Sequence, residues 1–186
     1  MKRLFVIIVL ALAASAGLPG AHAQAQTAQQ KDAARDETRE KLRQLLDTAG
    51  QRKDVTVTFR QADKQPYNFV GVMRDGLTNA DSLEIVVSVT PNETIGFRVY
   101  PHYKGGYINI GKAKDSPGLM RKLLYMSDRN FLYWGADKEG DVFSGYTFTL
   151  ESGFPHEAIV IVLRSIRNTD GFVGEMRPFI DGSTAP

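Results

Sequence analysis

Hydrophobic residues recur along this chain with two periods, and the switches between them divide it into elements. Lys31 to Thr48 reads as a helix whose early part is nearly all charged. Leu42, Leu45, Leu46 and Ala49 form an apolar stripe only at its end, so the helix should dock by its last two turns and project its first two into solvent. Glu37 and Lys41 are placed as a favourable i,i+4 pair, and Gly50 as a stop. The period then shortens to two. Val55, Val57 and Phe59 alternate with Thr56, Thr58 and Arg60, which predicts a half-buried strand. Tyr67–Arg74 is a second strand, and Leu83–Val89 is a third, continuous enough in apolar residues to be central. Asp75-Gly76 and Thr78–Asp81 mark a loop, and Thr90–Glu93 a turn. Ile95–Tyr103 and Tyr107–Ile110 make a hairpin about Gly105-Gly106. The whole block reads as an antiparallel meander.

Helical spacing returns at Leu119, Met120, Leu123, Leu124 and Ser127 and ends near Asp128. Ser116 is predicted to cap this helix, with Pro117 at its first position. Phe131–Gly135 is a short aromatic strand, Asp137–Asp141 a polar turn, and Val142–Leu150 a further alternating strand. A last helix runs from near Pro155 to about Arg177, with Ile159, Val162, Leu163, Ile166, Val173 and Met176 on one side. Asp170 interrupts that series. Gly171 and Gly174 imply either close packing against the sheet or a local break, and Pro178 is expected to end the helix. The tail from Asp181 to Pro186 is polar and expected to be loose.

The first residues fit neither period. Lys2 and Arg3 precede an unbroken apolar run from Leu4 to Ala14, and Ala21-His22-Ala23 has the small-x-small form of a cleavage site. This predicts a secretory signal peptide over residues 1–23, cleaved near Ala23/Gln24, and hence a periplasmic or secreted protein. The run is about half the ~20 residues that span a bilayer, so no integral membrane segment is expected after cleavage. Residues 24–30 are then a flexible leader, residues 31–180 one domain and residues 181–186 a flexible tail. The mature chain of about 160 residues is long enough for its own core.

Composition narrows the function. The precursor carries 23 basic and 21 acidic residues. Its leader holds Lys2 and Arg3 and no acid, so the mature chain is balanced, which argues against a nucleic-acid binder. The absence of cysteine removes thiol nucleophiles, cysteine metal sites and a lipid-anchoring cysteine.

From Leu83 to Ile180 the chain resembles the YbjN-type family of bacterial proteins. The stretch from Ser116 to Ile180 carries the likeness: a helix, a short strand holding Phe131–Trp134, an acidic turn with Gly140, a long strand and a long closing helix. The resemblance implies a type III secretion chaperone-like fold. That is an α+β domain with a curved antiparallel sheet on which an N-terminal helix, a middle helix and a long C-terminal helix pack. It implies binding or regulation rather than catalysis, since members of this fold class often dimerise or hold a protein segment.

The segment Arg98–Tyr107 is the leading candidate for recognition, with Arg98, Tyr100, His102, Tyr103 and Tyr107 as binding residues. Alternation places Arg98, Tyr100 and His102 on one face. An irregularity at Pro101 is expected to reconcile Phe97, Val99 and Tyr103. Ordinary hairpin packing explains the same residues and is the commoner case, because tyrosine is frequent in strands. Tyr133-Trp134 is the second candidate, with Trp134 as core or as interface. His102 and His156 lack companion ligands, so no metal and no cofactor is expected. Asp137, Glu139 and Asp141 resemble part of a calcium loop but lack its closing glutamate, and read as a solvated turn. No Gly-x-Ser-x-Gly elbow or phosphate loop is present, and no catalytic residues are assigned. The expectation is a non-enzymatic exported module that binds a protein segment or a second copy of itself. A small-molecule or lipid site around Phe131, Trp134 and Phe148 is the alternative.

Overall fold

A computed structural model of the chain describes the backbone of residues 19–184 and side chains from Gln30 onward. The predicted signal peptide lies mostly outside the described residues. Helix α1 is Pro19–Gly50, so Gln24–Gln30 is helical rather than a flexible leader. Its alanines and glutamines are good helix formers, and nothing in the stretch breaks the helix that follows. The end of α1 docks as expected: Leu42, Leu45, Leu46 and Ala49 are buried. Docking also begins earlier than the apolar stripe. The Arg35 guanidinium donates to the Val89 carbonyl at 3.1 and 2.7 Å and lies 3.5 Å above the Tyr67 ring. The expected Glu37–Lys41 pair is formed at 2.6 Å.

At Gly50 the chain folds back over the helix end. A Cβ there would lie 2.1 Å from the Val57 carbonyl oxygen, so only glycine fits. This return delays the first strand. Thr56 has φ 53° and the Val57 N–H bonds the Gly50 carbonyl at 2.9 Å, so pairing starts at Phe59 rather than Val55. The apolar alternation survives as burial, since Val55, Val57 and Phe59 all sit in the core.

The sheet strands are β1 (Phe59–Ala62), β2 (Gln65–Met73), β3 (Ser82–Val89), β4 (Thr94–Tyr103), β5 (Gly106–Tyr107), β6 (Tyr133–Ala136) and β7 (Val142–Thr149). They form one open antiparallel sheet in the order β1-β2-β3-β4-β7-β6, with β5 paired to β4. The fold is α+β, and β3 is interior as its apolar run implies. Leu83, Ile85, Val87 and Val89 of β3 and Ile95, Phe97 and Val99 of β4 point into the core under the helices. The alternate residues form the opposite, uncovered face.

Helix α2 (Ser116–Arg129) buries Leu119, Leu123 and Met126. Its cap is Asp115, not Ser116: the Asp115 carboxylate accepts the Gly118 N–H at 2.9 Å from a non-helical backbone. The C-terminal helical arm is divided into α3 (His156–Ser165) and α4 (Thr169–Ile180) by a 3-10 turn at Ile166–Asn168. Asp170 explains the apparent gap in the hydrophobic stripe. It is buried, and its carboxylate accepts the N–H groups of Thr78, Asn79 and Ala80 at 2.9, 2.9 and 2.7 Å. Gly174 does permit close packing, but against the Asn79 side chain of that loop rather than the sheet. Pro178 does not end the helix; α4 continues to Ile180. In the last turn its missing N–H forfeits a single backbone bond.

The tail is also tied down where it starts. Asp181 accepts from Lys104, from the Tyr103 hydroxyl and from the Ser183 N–H. Among the described residues no helix is long and apolar enough to cross a membrane.

Candidate functional site

Strand parity builds the site. Arg98, Tyr100 and His102 alternate with Phe97, Val99 and Pro101 along β4 and stand on the uncovered face. The register is regular: Tyr100 opposes Glu84, Pro101 opposes Leu83 and His102 opposes Ser82. The irregularity expected at Pro101 is therefore absent, and none is needed, because Phe97, Val99 and Tyr103 already share the core-side parity. Lys104 and Gly105, both with positive φ (51° and 83°), are the central turn residues, rather than Gly105-Gly106. This two-residue turn sets Tyr107 opposite His102 on the uncovered face.

The sequence candidates therefore divide. Arg98, Tyr100, His102 and Tyr107 come together. Tyr103 faces the helices, where its hydroxyl meets Asp181 at 3.1 Å. Trp134 is buried on the helical side against Phe172, with ring centroids 5.7 Å apart. Its backbone N–H bonds the Ser127 hydroxyl at 2.7 Å, joining β6 to α2. Trp134 is core.

Phe143, which sequence reasoning did not assign, and Tyr133, named only beside Trp134, complete the surface. Phe143 of β7 lies 5.6 Å from Tyr100 and 6.0 Å from Tyr133. With His102 packed on Tyr107 at 4.3 Å and Tyr107 edge-on to Tyr100 at 5.9 Å, a row of five rings crosses β5, β4, β7 and β6. Gly145 makes room at one end. A Cβ there would lie 2.6 Å from the Tyr133 ring, which therefore lies flat across β7.

Beside the row runs a groove of about 650 Å³, open along the sheet face. Its rim is acidic, with Glu84, Asp137, Glu139 and Asp141; among the described lining residues Arg98 is the one cation, and just outside the lining Lys138 pairs with Glu139 at 3.2 Å. Arg98 lies 4.6 Å over the Phe143 ring and donates to the Tyr100 hydroxyl at 3.3 Å, a bond that raises the guanidinium pKa above its ordinary value. Tyr107 donates to the Glu84 carboxylate at 3.2 and 3.1 Å. Burial, followed by the Glu84 charge, pushes its hydroxyl up to about 12, so it remains a donor at neutral pH. The turn expected to be merely solvated is structured: Asp137 accepts the N–H groups of Glu139 and Asp141, and Asn109 donates to Asp141 at 2.8 Å.

The remaining candidates are separate from this groove. Phe148 packs between Phe97 and Tyr146, and Phe131 meets Tyr146 edge-on at 5.9 Å. Trp134, on Phe172, and Phe148 are buried, while Phe131 is largely exposed. His156 is exposed and contacts Glu157 at 3.1 Å. Among the described residues no three His, Cys, Asp or Glu side chains are grouped as metal ligands. No protein-family model matches the chain, and no curated protein matches it.

Proposed function

We propose that this chain is an exported, non-enzymatic binding module that holds an extended segment of a partner protein on the uncovered face of its sheet. One observation carries the reading: the core lies under the helices on one face, while the other presents a row of five rings along an open groove. Tyrosine offers a flat apolar surface and a hydroxyl at low entropic cost, which suits protein recognition. The YbjN-type resemblance of Leu83 to Ile180 supports a binding role. The leader of residues 1–23 places the module in the periplasm or outside the cell; N-terminal sequencing of the exported form should begin at Gln24. A photo-crosslinking residue at Thr147, exposed in the groove, should join one discrete segment of a partner protein, whereas the same residue at Ile161 on α3 should not. Equal yields at both positions would overturn the reading.

A second reading, self-association, is favoured by α2. Met120, Leu124 and Tyr125 form an exposed apolar patch on its outer side. Sedimentation equilibrium decides it: a dimer abolished by Leu124→Glu supports a second copy on this patch, and a monomer at all concentrations removes it.

A further inference from the structure

The chain shows within its own fold how it holds a guanidinium. The Tyr67 hydroxyl donates to Asp36 at 2.9 Å, which fixes the ring. Arg35 then lies 3.5 Å above that ring, with its fork on the Val89 carbonyl. An acid that orients a tyrosine and a cation on the tyrosine face together attach α1 to the sheet.

The first two parts of this device recur in the groove without the third. The Tyr107 hydroxyl donates to both Glu84 oxygens, and the ring is braced by His102 and Tyr100. Among the described residues no lysine or arginine lies over Tyr107 or pairs with Glu84. Tyr107 is 43% exposed, so its ring remains accessible. Asp141 adds a further carboxylate along the same rim, and its partner is the neutral Asn109. Arg98, the one cation among the described lining residues, is already engaged by Phe143 and Tyr100, and Lys138 at the rim by Glu139.

We infer that the groove selects basic segments, seating a lysine or arginine of the partner polypeptide between the Tyr107 ring and the Glu84 carboxylate. This rests on the reading of the uncovered face as the binding surface and adds the chemistry of what binds there. The acidic rim supplies long-range attraction to the segment, and the aromatic row supplies contact along its length. Arg98 works against a uniformly basic segment at the middle of the groove, so a hydroxyl or acidic side chain belongs opposite it.

Three labelled ten-residue peptides test this, each alternating threonine with arginine, glutamine or glutamate. Fluorescence anisotropy against the purified protein should show the arginine peptide binding at least about tenfold more tightly than the glutamine peptide, with the margin shrinking as salt rises. Glu84→Gln should weaken the arginine peptide by about fivefold or more and so shrink its margin over the glutamine peptide. Thr147→Lys, an exposed change in the groove, should weaken the arginine peptide as well. Equal affinity for the arginine and glutamine peptides, both lost in Tyr107→Ala, would overturn the charge preference and leave the uncovered face as a binding surface. Arginine-peptide binding indifferent to both Glu84→Gln and Thr147→Lys would place the basic subsite elsewhere and overturn the inference. Failure of all three peptides to bind would count against the binding surface itself.

Discussion

Replacing Asp170 with alanine should destabilise the fold more than its single polar side chain suggests. The carboxylate is 6% exposed and accepts three consecutive backbone N–H groups, from Thr78, Asn79 and Ala80, together with the Thr78 hydroxyl and the Asn79 amide. These bonds pin the loop between β2 and β3 onto α4. In the alanine variant the Ala80 N–H, in a buried bond at 2.7 Å, is left unpaired, while water can reach the more exposed Thr78 and Asn79. One buried orphan donor costs about 1–3 kcal/mol, and the loss of the charge-assisted bonds brings the total to about 3 kcal/mol. At about 2–4 °C per kcal/mol for a domain of this size, the melting temperature should fall by about 6–12 °C. The pH dependence follows from the carboxyl pKa. Burial alone would raise it, but the N–H donors of Ala80, Thr78 and Asn79, joined by the Thr78 hydroxyl, outweigh burial and leave it below its ordinary value. The stabilisation is therefore complete above the unfolded-state pKa of about 3.9 and is lost as pH falls through the lower folded value. Circular-dichroism melts of both proteins should differ by a constant margin from pH 5 to 8, and the margin should narrow only under more acidic conditions. A difference below about 1 kcal/mol at pH 7 would refute the anchoring role.

Three further changes probe the site and its surroundings. Gly145→Val puts side-chain atoms where the Tyr133 ring lies and close to the Phe97 carbonyl oxygen; it should cost about 1–3 kcal/mol in chemical denaturation and displace the Tyr133 ring resonances. Glu84→Gln should lower the Tyr107 pKa from about 12 by removing one of its causes while burial, the largest, remains, as read by NMR titration of the Tyr107 ring; an unchanged value would contradict the Glu84 contact. Leu124→Glu, at a 70% exposed position, should leave stability within about 0.5 kcal/mol while changing any self-association measured by sedimentation.

Strand parity was the most legible part of the site. The alternation along β4 separated Arg98, Tyr100 and His102 from Phe97 and Val99, and the structure keeps that division. Tyr103 is named with the binding residues and an irregularity is expected at Pro101, although the two-residue count alone places Tyr103 beside Val99 on the core side. Glu84 was hidden for a different reason. A glutamate within an apolar strand reads as an ordinary outward residue until the pairing of Tyr100 with Glu84 and the β5 turn bring Tyr107 over it. Phe143 requires knowledge that β7 pairs with β4, and strand order across a crossover leaves no local trace. Asp170 looked like a flaw in a hydrophobic stripe because its partners lie about ninety residues away. The delayed start of β1 follows from a tertiary contact, the Val57 bond to the end of α1, which overrides a sound local strand pattern.

The central claim is that recognition takes place on the uncovered sheet face. Amide and aromatic NMR spectra recorded during titration with the arginine–threonine peptide test it most directly. The account expects shifts at Arg98, Tyr100, Tyr107, Phe143 and Thr147, with the Trp134 indole on the buried side unmoved. Shifts concentrated at Trp134 and along α2, with the uncovered face silent, would contradict it.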